Sequence, residues 1–80
     1  MKEKLIKELN ELYIEYESIL KMSIDYCGGK NKKSDYVRTT NDFSQAMVFK
    51  SNDYKMINDN EIEKLIQTLY LKLIKTYLVD

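Results

Sequence analysis

Tyr36-Val37-Arg38-Thr39-Thr40-Asn41-Asp42-Phe43-Ser44-Gln45-Ala46-Met47-Val48-Phe49-Lys50 is the stretch whose reading decides the fold. As a helix it makes the chain all-α, and as a hairpin it makes it α+β. The helical reading takes Asp42 as an N-cap with Gln45 three residues on, and Phe43, Ala46, Met47 and Lys50 then follow at helical spacing. The hairpin reading takes Tyr36 to Thr40 and Ala46 to Lys50 as two β-prone runs joined across Asn41 to Gln45. The capping pattern and the Ala46-Met47 pair favour a short helix. A small β-hairpin at 36–50 is the alternative.

The flanks of this stretch are polar. Lys30-Asn31-Lys32-Lys33-Ser34-Asp35 has nothing apolar to bury and reads as a loop, and Ser51 to Lys55 reads as a turn. Beyond them lie two much clearer elements. From Lys2 to Cys27, the residues Leu5, Leu9, Leu12, Tyr16, Ile19, Ser23 and Tyr26 step by four and three, with Ile6, Tyr13, Leu20 and Cys27 beside them. Glu3 with Lys7, Lys4 with Glu8, Lys7 with Glu11 and Glu17 with Lys21 are spaced for pairs on the opposite, solvated side. Gly28-Gly29 supplies a left-handed stop.

The C-terminal helix has a written beginning. Asn58 is a candidate N-cap, Glu61 completes a capping box, and Ile57 can staple onto Ile62. Ile62, Ile66, Leu69, Leu73 and Tyr77 then form a stripe flanked by Leu65, Tyr70, Ile74 and Leu78. Two long helices, about 2–27 and 59–79, are expected to pack antiparallel with the short middle helix closing their groove. The expected architecture is therefore all-α, in a single small domain over residues 1–80.

Composition narrows the chemistry. The 80 residues contain no His, Trp or Pro, and Cys27 is the only cysteine. No internal disulfide can form, thiolate or imidazole metal clusters are excluded, and Cys-His or Ser-His catalysis has no base. One thiol and no signal-like leader fit a cytoplasmic location. Glu8, Glu11 and Glu15 are the densest carboxylates, yet they avoid the apolar stripe and read as a solvated face rather than a metal site. The apolar run near the C-terminus is broken by Lys72 and Lys75 and is too short for a bilayer. The reading is a non-enzyme with no cofactor, no metal and no small-molecule substrate.

Thirteen basic residues balance thirteen acidic ones, which argues against a protein that works by bulk charge. The expected role is protein–protein interaction, either with a host protein or as a homodimer. The contact residues would be the apolar side chains left over from helix packing, Tyr70, Leu71, Leu78 and Val79, with Tyr36 and Tyr54 beside the loops. Lys, Asn, Ile and Tyr are abundant and can be encoded with A and T alone, so a phage or other mobile element of a low-GC bacterium is the expected source. A small regulator or inhibitor, including an anti-defence protein, fits that setting. The alternative is a nucleic-acid-binding accessory protein. It would use Lys30, Lys32, Lys33, Arg38, Lys50 and Lys55, interleaved with Tyr36, Phe43 and Tyr54 in a middle segment with six basic and three acidic residues.

Overall fold

The four-and-three spacing of the N-terminal segment produces α1, Lys2–Tyr26, in a computed structural model that describes residues 2–26 and 33–78. Leu5, Leu9, Tyr13 and Leu20 of α1 are buried, while Ile6, Leu12 and Tyr16 pack against them at the edges. The centre of the apolar face thus lies nearer Tyr13 than Ile19, which is exposed. Cys27 and the Gly28-Gly29 stop lie outside the described residues.

The middle segment is the main correction. It forms one long helix, α2, Lys33–Asp53, instead of a short one, and 36–50 contains no strand. Asp42 does not cap it but lies exposed in its interior, and Lys33 to Asp35 and Ser51 to Asp53 belong to the helix rather than to a loop and a turn. Tyr36, Thr40, Phe43, Met47, Ser51 and Tyr54 step by four, three, four, four and three, so they share one face. Phe43, Met47, Thr40 and Ser51 are buried there. The two hydroxyls are satisfied inside the helix: Thr40 Oγ1 donates at 3.0 Å toward the carbonyls of Tyr36 and Val37, and Ser51 Oγ donates to the Met47 carbonyl at 2.9 Å. That local bonding removes the penalty of burying them.

A left-handed residue ends α2. Lys55 has φ 58°, its amide donates to the Asn52 carbonyl at 2.9 Å, and the Met56 amide donates to the Ser51 carbonyl at 2.9 Å. These are the two bonds of a Schellman cap, here without the usual Gly and therefore at a cost of about 1 kcal/mol. Met56 then folds back onto the core.

The last helix, α3, spans Asn60–Leu78. Its N-cap is Asp59 rather than Asn58. Asp59 Oδ1 accepts from the amides of Glu61 at 2.9 Å and Ile62 at 3.2 Å, and Lys2 Nζ lies 3.1 Å from Asp59 and 3.6 Å from Glu61. The capping box and staple expected on Asn58 are absent, because with Asp59 as the cap the third helical position is Ile62, which has no side-chain acceptor to return to the cap, and the flanking pair becomes Asn58 and Glu63. Ile62, Leu69 and Leu73 are buried, with Leu65, Ile66 and Tyr70 packed beside them.

These contacts also set the direction of each helix. Lys2 meets Asp59 at one level, and farther along Lys72 Nζ lies 4.9 Å from the Tyr13 ring centroid. Early residues of α1 meet early residues of α3, so these two helices are parallel and the antiparallel expectation is corrected. The reason is the length of α2. Its 21 residues extend roughly 31 Å at 1.5 Å per residue, enough to carry the chain back along the bundle. Phe43 meets Tyr13 and Tyr16 with ring centroids 6.2 and 5.3 Å away, the Tyr54 hydroxyl donates to Glu8, and the Tyr36 hydroxyl points at the Ile74 carbonyl. The result is an up-down-up three-helix bundle of 41 × 17 × 17 Å.

The Asp59 cap carries a pH test. Its carboxyl is held below the usual 3.8, first by the hydrogen bond from Lys2 and next by the Ile62 amide. A carboxyl depressed in the folded state contributes stability that is present above its unfolded pKa and is lost as pH falls through the folded value. Asp59→Ala is therefore expected to lower the thermal midpoint at pH 7, whereas Asn58→Ala leaves it unchanged. The gap between Asp59→Ala and the parent chain should narrow in scans below about pH 4. Equal losses at both positions would return the cap to Asn58.

Candidate interaction surface

Helix packing decides which apolar residues remain outside. Of the expected contact residues, Tyr70 is half-buried against the core, and Leu71, on the outer side of α3, is 54% exposed. The Leu78 side chain and Val79 lie outside the described residues. Tyr36 and Tyr54 are drawn into contacts between helices. Tyr36 hangs over α3 with its hydroxyl 3.5 Å from the Ile74 carbonyl, and burial, with Tyr70 as the neighbouring group, raises its phenol pKa above the usual value. Tyr54 packs on the core and donates to Glu8. That bond raises its pKa first, followed by burial and the negative charges of Glu8 and Asp53. Both phenols are thus neutral hydrogen-bonding groups at physiological pH.

The structure also exposes apolar residues that the expected stripes leave out. Ile14 is 62% and Phe49 64% exposed, and Met22 and Val37 are exposed as well. Their signal in the sequence is an apolar side chain standing outside the four-and-three pattern of its own helix. Ile14 is one residue beyond Tyr13, whose ring carries Lys72 and whose hydroxyl donates to Glu17 at 3.0 Å. Ile14 therefore flanks the seam between α1 and α3, away from the α2 side marked by Tyr16 and Phe43. On α3, Thr68, Leu71, Lys72 and Lys75 line a shallow depression of about 320 Å³. A second, of about 270 Å³, lies between α2 and the start of α3 and includes Val48, Ile57 and Ile66.

The three basic candidates whose side chains are described are dispersed. Arg38 and Lys55 are exposed and Lys50 is half-buried, the Lys33 side chain is undescribed, and Lys30 and Lys32 lie outside the described residues. Arg38 and Lys50 are twelve positions apart on different sides of α2, with the carboxylate of Asp42 between them, and Lys55 serves as the left-handed cap. Phe43, expected to interleave with these cations, is fully buried. Among the described residues no group of three or more acidic or Cys side chains could hold a metal ion, and no helix is long and apolar enough to cross a membrane. Comparison with protein-family models, with curated proteins and with solved structures finds no match to this chain.

Proposed function

We propose that this chain is a non-enzymatic interaction module that acts in the cytoplasm as a small regulator or inhibitor, and that its outer α3 surface binds another protein. A phage or mobile-element origin, with a host protein as target, fits its composition. One observation carries the reading. The core closes around Ile62, Leu69 and Leu73, yet Leu71 remains exposed beside a depression, between Lys64, Lys72 and Lys75 on the same helix. An apolar side chain at the centre of a polar rim is the usual anatomy of a binding hot spot. The nucleic-acid alternative has weaker support, since its cations do not converge among the described residues.

Leu71→Glu tests the proposal. Because Leu71 contributes little to the core, the substitution is expected to change folding stability by less than about 0.5 kcal/mol. It should weaken binding to a purified partner, measured by calorimetry, by at least about tenfold. A partner bound equally well by Leu71→Glu would place the interaction on another face.

A further inference from the structure

We infer that a second copy of this chain covers the α1–α3 face, in a twofold dimer whose axis runs parallel to the helices. The inference rests on the interaction-module reading and makes the protein bound at that surface a second copy of this chain instead of a host protein. A twofold axis in this direction places α1 of one protomer over α3 of the other and leaves every residue at its original height. Only groups already level with one another can then meet, and the bundle fixes those levels twice. Lys2 and Asp59 differ by 57 positions and Tyr13 and Lys72 by 59, so residues 71 to 73 of α3 stand level with Ile14. The depression formed by Thr68, Leu71, Lys72 and Lys75 is centred at that height.

An exposed apolar knob and a shallow apolar notch thus occupy one face at one level, which is what an isologous interface requires. Ile14 of each protomer enters the notch beside the partner's Leu71, and the contact forms twice. The same registry puts Lys75 level with Glu17 of the facing protomer and Lys64 level with its Lys7. The first pair attracts and the second repels. With two small apolar contacts inside a polar rim, the interface falls below about 1,200 Å², so Kd is expected on the order of 10–100 µM.

Sedimentation equilibrium of the full chain up to roughly 0.5 mM, a range chosen to bracket that affinity, tests the dimer. Ile14→Asp and Leu71→Asp should each weaken association at least about tenfold with helical circular dichroism unchanged. Phe49→Asp, on the outer side of α2, should have no effect. Lys64→Glu, placed opposite Lys7, should tighten the dimer several-fold, a gain that misfolding cannot produce. Mixing Ile14→Cys and Leu71→Cys chains, each also carrying Cys27→Ser, should give an oxidised dimer that neither gives alone. A monomer throughout the range, or a dimer indifferent to Ile14→Asp and Lys64→Glu, would overturn the inference. If such a monomer still lost a second protein upon Leu71→Glu, the dimer would be removed and the interaction module would stand.

Discussion

Phe43→Ala is expected to lower the free energy of unfolding by about 3–5 kcal/mol. Phe43 is the largest fully buried side chain among the described residues, and it projects from α2 between Tyr13 and Tyr16 of α1. Its removal costs the transfer of a full aromatic side chain and leaves a cavity that two rings on a neighbouring helix cannot readily fill. A domain of this length holds about 4–12 kcal/mol in total, so the variant should stand near the edge of folding at room temperature. Phe43→Leu keeps most of the volume and should cost markedly less. Urea unfolding followed by circular dichroism measures both. A loss of less than about 1 kcal/mol on Phe43→Ala would show that the α1–α2 contact is not organised around this ring.

The same residue shows why the middle of the fold was harder to read than its ends. In α1 and α3 the buried positions are nearly all Leu, Ile or Tyr, so the helical period is visible as hydropathy. In α2 two of the buried positions are Thr40 and Ser51, and a period written partly in hydroxyls looks interrupted. Those hydroxyls bond to backbone carbonyls three or four residues back, a solution that depends on the helix already being present. β-branched Val37, Thr39 and Thr40 pull the local preference toward strand, and packing of Phe43 and Met47 overrides it. The direction of α3 was lost for the same reason. A short middle helix leaves the third element antiparallel to the first, whereas a full-length α2 makes it parallel.

The start of α3 illustrates a different limit. Asn58 and Asp59 are both competent caps, and local sequence does not choose between them. The cap falls on Asp59 in the assembled bundle, where Lys2, at the other end of the chain, pairs with it. The candidate surface divides in a similar way. Leu71 could be found by subtracting the α3 stripe from its apolar residues, but Tyr36, Tyr54 and Tyr70 could not be assigned inward until α2 was known to run the length of the bundle. Ile14 follows from neither step. Its importance comes from its height relative to α3, and that is a property of the assembled bundle.

Gln45→Pro puts the α2 reading to a direct test, with an expected cost of about 3 kcal/mol or more. Gln45 is exposed at mid-helix, so the substitution removes almost no side-chain packing. Its effect must come through the backbone: a proline there deletes an amide donor, and its ring crowds the carbonyl four residues earlier. In the hairpin alternative, residue 45 belongs to the connection between strands, where proline is well tolerated. The two folds therefore predict outcomes several kcal/mol apart from one surface substitution. The damage should also be cooperative, because a kink at 45 separates the Tyr54–Glu8 contact at one end of α2 from the Tyr36–Ile74 contact at the other. Helical signal should then be lost from the whole bundle in a single transition at lower denaturant. A variant within about 1 kcal/mol of the parent would return 41–45 to a loop and leave no full-length helix to make α3 parallel to α1.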